Sequence, residues 1–359
     1  MKLSCLLAAS LLFASCGSDA PTPASELVAL NPARDYKPVS GEPSTDDIAR
    51  FLAGRPVKNG ETLSKWQRTN GDYHTHALNF DYEWRTFAAK RTTRQSEYFR
   101  DTLKPLIGSP STIFYPFGGP DILHATSMFP NASTYVLIGL ESVGAIPDLT
   151  SNNPNPLLDR LAAVLDEPLR HGYFITKEMR VAPPVTPILL TSLGLMGARV
   201  ESAQSINAGG YPGVEIRFKA ANGGAKKVIY VSGNLSNSGL NSSFQSWLGS
   251  FSGSTAYFKA ASYLMHDPAF SSIRSWVLGN CKAIVQDDSG IPFKYYDSSN
   301  WNVTLLGTYD QPIPFFAKWK QADLAAAYDA IGGQGQEIPF GSGYHLRKTE
   351  ANLQVFKRK

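Results

Sequence analysis

Hydrophobic and polar positions along the chain change period twice. Residues 44–105 carry apolar and aromatic positions at helical spacing, from Ile48, Phe51 and Leu52 through Trp66, Tyr73, Phe80, Trp84 and Phe87 to Tyr98 and Phe99, and predict a helical N-terminal lead. Ser44-Thr45-Asp46-Asp47 supplies N-cap residues for its first helix, which ends near Gly54. At Thr112 the pattern switches. Thr112–Phe117 reads as an apolar strand, Gly118-Gly119-Pro120-Asp121 as a turn, Ile122–Phe129 as a short helix, and Ser133–Leu140 as a second strand ending at Glu141. Leu157–Leu165 reads as a helix and Tyr173–Ile175 as a third short strand. Strands alternating with helices predict a parallel sheet with crossover helices. Val214–Phe218, the turn Asn222-Gly223-Gly224 and Lys227–Val231 then form a β-hairpin.

Beyond the hairpin the alternation resumes. A helix is expected at about 242–250, a strand or helix at 255–265, a helix at about 269–279 and the strand Ala283–Gln286. Short segments follow at Lys294–Tyr296 and Val303–Tyr309, then a helix at about 318–331 and a last strand Leu353–Phe356. The expected fold class is α/β: a mixed, mostly parallel sheet with crossover helices, a β-hairpin insert and a helical lead over 44–105, with 106–359 as a single α/β domain.

Residues 1–15 stand outside this pattern. Lys2 precedes an apolar run, Leu3–Phe13, of about 11 residues, where a bilayer span needs roughly 20. Phe13-Ala14-Ser15-Cys16 resembles the lipobox that closes a lipoprotein signal peptide, with Phe13 where leucine is usual. The chemistry requires a cysteine there: its thiol receives a diacylglycerol, and the amine freed by cleavage takes a further acyl chain. Two or three chains anchor stably where one does not. The competing interpretation is an ordinary secretory signal with an incidental cysteine. Residues 16–43, the lipidated cysteine and a polar Pro/Ser-rich stretch, read as a flexible tether. Gly17 resembles the pattern of outer-membrane sorting. The expectation is an exported lipoprotein held to a membrane through Cys16, on the outer membrane facing the periplasm or the cell surface if the cell has two membranes.

Composition narrows the partners. Net charge is +4 with 18% charged residues, and no Lys/Arg stripe forms, so nucleic acid is not expected. Lys90-Arg91-Thr92-Thr93-Arg94 reads as a solvated helix face. Of three cysteines, Cys5 leaves with the signal and Cys16 is lipidated. Cys281 then stands alone at the end of an apolar helical run, as a buried small hydrophobe rather than a nucleophile.

Four groups of residues could carry chemistry. Gly118-Gly119-Pro120-Asp121 after the first strand, with Glu141 after the second, has the outline of a nucleotide-binding βαβ unit. However, the full glycine motif is absent and Pro120 removes an amide donor. The same residues also read as a crevice at the strand ends into which Asp121 and Glu141 point, or as a tight turn with Asp121 at a helix terminus. Gln286-Asp287-Asp288-Ser289-Gly290 closes an apolar strand with two acids, which must face water, a cation or a substrate; the sequence is equally a common turn. The tail is dense in aromatics: Phe293, Tyr295, Tyr296, Trp301, Tyr309, Phe315 and Phe316, either core or a glycan-stacking wall beside the acids. His74-Thr75-His76 would share a face on a strand but splay apart on a helix, and with no second His/Cys cluster no metal site is expected. His266 beside Asp267 reads as a helix-end cap. No motif names a reaction or a cofactor.

Five stretches carry a resemblance: Ile113–Asp121, Phe129–Glu141, Ala260–His266, Gln286–Pro292 and Gly307–Ile313. Across about 110–345 the chain resembles a family of uncharacterised bacterial exported proteins. The resemblance implies one domain over that span and no mechanism. It favours Asp121, Glu141, Asp287 and Asp288 as site residues, beside Gly118, Gly119 and Tyr309 as candidate ligand contacts. Three functions follow as expectations: a lipoprotein binding a small polar ligand such as a glycan in an acidic, aromatic crevice; a cell-envelope hydrolase using the paired carboxylates; or an interaction module of an envelope assembly, with an envelope protein as partner.

Overall fold

The computed structural model describes residues 42–150, 153–174, 183–333 and 335–359. Cys16 and the signal segment lie outside the described residues, as does the tether up to residue 41.

The fold is α/β, built on one nine-stranded mixed sheet in the order β3-β4-β5-β2-β1-β6-β7-β9-β8. The strands are β1 (Thr112–Pro116), β2 (Thr134–Gly139), β3 (Arg199–Ala208), β4 (Tyr211–Lys219), β5 (Ala225–Ser232), β6 (Thr255–Phe258), β7 (Ala283–Gln286), β8 (Trp301–Gly307) and β9 (Asn352–Arg358). The five central strands, β5-β2-β1-β6-β7, are parallel. The predicted hairpin is β4–β5, and its returning strand enters the parallel set beside β2. β9 runs antiparallel between β7 and β8. From β1 the chain builds outward through β2 to β5, then returns to lay β6 on the other side of β1. Strand order therefore reverses between β1 and β6. In open α/β sheets, ligands bind outside the carboxyl ends of strands at such a reversal.

Strand side chains alternate between two covered faces, as a buried parallel sheet requires. Ile113 and Tyr115 of β1, Tyr135 and Leu137 of β2, and Tyr257 of β6 face one core, while Phe114, Val136, Ile138 and Phe258 face the other. The first core is covered by the helical lead with α7 (Asn155–Arg170) and α8 (Val185–Leu195); the second by α9 (Ser242–Gly249) and α10 (Ser271–Asn280).

The lead begins at α1 (Thr45–Leu52), where Ser44 and Asp47 form a reciprocal capping box. It continues through α2 (Glu61–Thr69), α3 (Gly71–Phe87), α4 (Thr93–Tyr98) and α5 (Lys104–Ile107). Two π-helical turns, Ala88–Thr92 and Phe99–Leu103, join the last three into one bent rod. α8 is buried on every side, so it has no amphipathic stripe to betray it and no helix is expected there from periodicity. Tyr173 and Phe174 do not form the expected third strand, and Ile175 is outside the described residues. Residues 293–295 form a 3-10 turn, and α11 (Ala322–Ala330) is the core of the helix expected at 318–331.

α1 crosses α8 at Gly194, where a Cβ would run into the Ala49 carbonyl and lie 2.6 Å from Ala53 Cβ. No larger residue fits without parting the helices. Gly194→Val is therefore expected to lower stability by about 1–3 kcal/mol through overpacking, read as a lower denaturation midpoint. An unchanged midpoint would mean the lead contributes nothing to the stability of the domain.

Candidate functional site

Ionisable side chains collect at the carboxyl ends of β1, β6 and β7. Asp121 follows β1, Lys259 follows β6, and Asp287 and Asp288 follow β7. All four are at most 4% exposed.

Lys259 Nζ donates to Asp121 Oδ2 and to the Gly172 carbonyl (2.6 Å), and Tyr115 OH donates to the same Asp121 oxygen at 3.0 Å. Burial acts to raise the Asp121 pKa, but Lys259 and then His124 outweigh it and hold the carboxyl well below its ordinary range. Burial lowers Lys259, with Asp121 opposing. His124 Nδ1 stands 3.4 Å from Asp121 Oδ1, yet neither atom makes a hydrogen bond, and burial drives the imidazole pKa down to about 4. Asp121 precedes α6 (Ile122–Met128) but its side chain caps no amide of that helix. The ion pair has claimed it instead.

Arg91 completes this half of the site. It lies in the first π-helical turn of the lead and donates to the Gly341 carbonyl at 3.1 Å. Arg94 likewise reaches the Pro339 carbonyl, at 3.3 Å. The Lys90–Arg94 stretch is thus not wholly the solvated face expected: Lys90 is exposed, whereas Arg91 turns inward. π turns widen a helix locally and recur at functional sites.

The other half is the turn after β7. Asp287 Oδ2 accepts from the Ala260 amide (2.9 Å), while its Oδ1 accepts from the Ser289 amide (2.9 Å) and hydroxyl. Asp288 accepts from Tyr263 OH and from Asn352 Nδ2 (3.1 Å), and His345 Nε2 lies 3.3 Å away. The two acids were expected to face water, a cation or substrate. Instead they are inside the protein, held by protein donors, because the turn folds its own hydroxyl and three other segments onto them. Burial and then Asp288 push Asp287 up to about 6. Burial acts to lower His345, but Asp288 overrides it and raises the imidazole.

The backbone around these groups is unusual. Among the described residues, four non-glycine residues have left-handed φ: Phe117 (63°) after β1, and Ala260 (51°), Ser262 (52°) and Tyr263 (56°) after β6. Such conformations cost energy and gather where function demands them. Over the 260–263 loop lies the segment Gly341–His345. Tyr344 OH donates to the Ala260 carbonyl (2.9 Å) and receives the Ser262 amide (3.1 Å). At Gly343, φ is 58° and an added Cβ would collide with Asp287 Oδ2. Only glycine lets this segment close.

Aromatic rings run from this point to the surface. Tyr263 packs on Phe316 (4.8 Å between centroids) and lies parallel to Trp319 (6.4 Å), while Tyr344 touches Phe316 (4.8 Å) and Tyr173 (5.8 Å). Phe315 is 47% exposed and Trp319 and Tyr173 are half-buried. The aromatic tail thus divides. Trp301 and Tyr309 are core, and half-buried Tyr296 stacks on Phe356; Phe315 and Phe316 stand near the acids. Tyr309 reaches the site only through Gln321, whose amide it receives at 3.2 Å and whose side chain donates to the Asp288 carbonyl.

Glu141 does not join the other acids. It is half-buried after β2, receives Tyr230 OH at 3.2 Å and leans over Gly119. The Gly118-Gly119 turn has no amide left for a phosphate. Gly118 N donates to Tyr115 O, Gly119 N to Ile138 O, Asp121 N to Gly118 O and Ile122 N to Pro120 O. The outline of a nucleotide-binding turn is present without its anion cradle.

His74 and His76 lie on α3 and splay apart as a helix dictates, His76 buried and His74 outside. Cys281 is buried, with burial raising its thiol to about 11. Among the described residues no cluster of His, Cys, Asp or Glu has the arrangement of a metal site, and no helix is long and apolar enough to cross a membrane. Sequence reasoning missed Lys259, His345, Tyr263, Tyr344 and Trp319. Lys259 alone left a signal, a cation directly closing the apolar strand Thr255–Phe258.

No protein-family model, no curated protein and no solved structure matches the chain.

The raised pKa of Asp287 has a defined consequence. Stability from the protonated buried acid is fully present below its ordinary value of 3.8 and is lost as pH rises through about 6. Relative to Asp287→Asn, which does not titrate but leaves one backbone amide without its acceptor, wild type is expected to lose stability as pH rises between 4 and 7, by on the order of 2 kcal/mol. Parallel stability curves for the two proteins across that window would place the Asp287 proton elsewhere.

Proposed function

We propose that the chain is a lipoprotein, exported and anchored to a membrane through Cys16, whose α/β domain binds a small polar ligand at the carboxyl end of its sheet. The supporting observation is the coincidence, at the strand-order reversal, of buried charged groups with all four left-handed non-glycine residues of the described chain. The ligand enters along Phe315, Trp319 and Tyr173 and meets Asp287 and Asp288 by displacing Gly341–His345, the segment that carries Tyr344 and His345. Aromatic faces leading to carboxylates suit a neutral, hydroxyl-rich molecule, and a glycan of the cell envelope is the favoured class.

One observation favours a second reading, an envelope hydrolase. Asp287 and Asp288 are adjacent carboxyls of which one is raised to about 6, the arrangement that separates an acid from a base. An interaction module is supported less, since three of the four acids, Asp121, Asp287 and Asp288, are buried close together, with Glu141 apart, rather than scattered over the surface.

Two experiments test the proposal. Labelled palmitate fed to cells expressing the full chain is expected in wild type and absent from Cys16→Ser; labelling that survives the substitution removes the anchor. A thermal-shift screen against sugars, cell-wall fragments and nucleotides is expected to show a rise of several degrees with a glycan, lost in Trp319→Ala. A flat screen, or a glycan shift that Trp319→Ala retains, would count against the crevice.

A further inference from the structure

The chain that covers the 260–263 loop divides into a fixed base and a turn. The base, residues 335–340, is fastened on two sides. Toward the sheet, the Gly335 amide donates to the Gly307 carbonyl and the Gly307 amide donates to the Gln336 carbonyl, both at 2.9 Å, at the end of β8. Toward the helical lead, Gln336 Nε2 donates to Thr102 Oγ1 at 3.0 Å, Arg94 reaches the Pro339 carbonyl, and Phe340 packs edge-on against Tyr98. Ile338 and Phe340 are buried in the first core.

Past Phe340 the anchorage changes. No residue of 341–346 belongs to a hydrophobic core, and Leu346 is exposed. The turn is closed on itself. The His345 amide donates to the Ser342 carbonyl at 3.0 Å, and Gly341 lies so near the Leu346 carbonyl that a Cβ there would collide with it. Such a turn moves as one piece with its neck at Gly341. It is held down by the bonds of Tyr344 to Ala260 and Ser262, by His345 beside Asp288, by ring contacts of Tyr344, and by Arg91 at the neck. A segment held by hydrogen bonds and edge contacts rather than by core burial opens locally while the domain stays folded.

Arg91 differs from the other ties. Tyr344 and His345 bond to the crevice itself, so an entering ligand competes with them directly. Arg91 comes from outside the crevice, on the π-helical turn Ala88–Thr92. It lies against Gly172, where a Cβ would come 2.8 Å from its guanidinium. Its place is set by the lead. A hydrogen bond from a charged donor is stronger than a neutral one, and the Gly341 carbonyl loses this one whenever the turn lifts.

We infer that Arg91 is the latch of the crevice: the turn 341–345 lifts as a unit from a fixed base, and the Arg91–Gly341 bond sets how often it does so. The inference rests on the reading above for what the lifted turn admits. It gives the helical lead a part in regulating the site, since a shift of the π turn against the base changes the open fraction without altering any residue of the crevice.

Amide hydrogen exchange of the full chain, resolved to single residues, tests the latch. The reporter is the Ser262 amide, whose acceptor is Tyr344 OH on the turn. Arg91→Met keeps the length of the side chain and removes its donors; Arg94→Met, which loosens only the base, is the control. The Ser262 amide is expected to exchange tenfold or more faster in Arg91→Met and at the wild-type rate in Arg94→Met. The Gly119 and Asp121 amides, bonded to Ile138 and Gly118 beside the crevice, should be unaffected in both. Unchanged Ser262 exchange in Arg91→Met would overturn the inference, as would equal acceleration in Arg94→Met. Acceleration that spreads to Gly119 and Asp121 would also overturn it, since it marks general loosening around the Asp121–Lys259 pair. Arg91→Gln, a milder change, is read by the same criteria should Arg91→Met fold poorly. The measurement uses no ligand, so a flat ligand screen removes the ligand and leaves the latch, whereas an unmoved Ser262 removes the latch whatever the screen finds.

Discussion

The Asp121–Lys259 ion pair is the constraint from which the organisation of the sheet's carboxyl end follows. Two charges withdrawn from water are tolerated only when their attraction and further hydrogen bonds offset the lost hydration. Here Tyr115 OH from β1 and the Gly172 carbonyl beyond α7 supply those bonds. Three segments far apart in the chain are thereby forced to one point. The Gly172 turn must carry no side chain, because a Cβ there would lie 2.8 Å from Arg91 and 2.9 Å from His124. Leaving either charge alone in the interior costs about 3–5 kcal/mol, so β1 and β6 cannot separate at this end without admitting water or a polar ligand.

The second half of the site depends on the first. Ala260 follows Lys259 directly, and its left-handed conformation turns its amide to Asp287. The Ala261 amide then reaches Ser289 Oγ, and the Ser262 amide reaches Tyr344. Left-handed non-glycine residues cost on the order of 1 kcal/mol or more each. They persist here because every amide of the loop that turns inward finds an acceptor on β7's turn or on the Gly341–His345 segment. Strain in one loop is thus held by bonds to two others. Removing the covering segment would release the Ser262 amide and the Ala260 carbonyl from Tyr344, while the Ala260 and Ala261 amides and the Tyr263 hydroxyl stay tied to the turn after β7.

Much of this fold is legible in the residues, for physical reasons that differ between elements. The strands of the parallel set announce themselves as short apolar runs bounded by glycine and polar residues, and the Asn222-Gly223-Gly224 turn marks the hairpin. α8 is hidden because burial on all sides erases periodicity. β3 is hidden because it is an edge strand with many exposed positions. The site is legible in part. Asp121, Asp287 and Asp288 draw notice as acids closing apolar strands. Their partners do not, because pairing is a property of distance in space. Lys259 lies 138 residues from Asp121 and Arg91 lies 250 from Gly341. Glu141 shows the converse failure: its separation from Asp287, with β1 and β6 between their strands, follows from strand order, which alternation of strand and helix does not specify.

Charge balance at the sheet's carboxyl end bears on what the crevice accepts. Asp121 is matched by Lys259, Asp288 is matched by His345, and Asp287, raised by burial and by its neighbour, holds its proton more readily than an ordinary carboxyl. Arg91 stands at the margin with Gly341 as its acceptor. A strongly charged ligand entering this set would leave an unmatched charge in a low-dielectric interior, at a cost that rises steeply with burial. A neutral molecule with several hydroxyls would add no charge of its own to be matched. Once the covering segment moves, such a molecule would donate to the carboxylates and accept from the Ser262 amide that Tyr344 vacates. Asp121 Oδ1 and His124 Nδ1, buried 3.4 Å apart and unbonded, give a polar group reaching past Lys259 two more atoms to satisfy. Binding of the proposed kind would recover hydrogen bonds that Asp121 Oδ1 and His124 Nδ1 forgo in the closed protein.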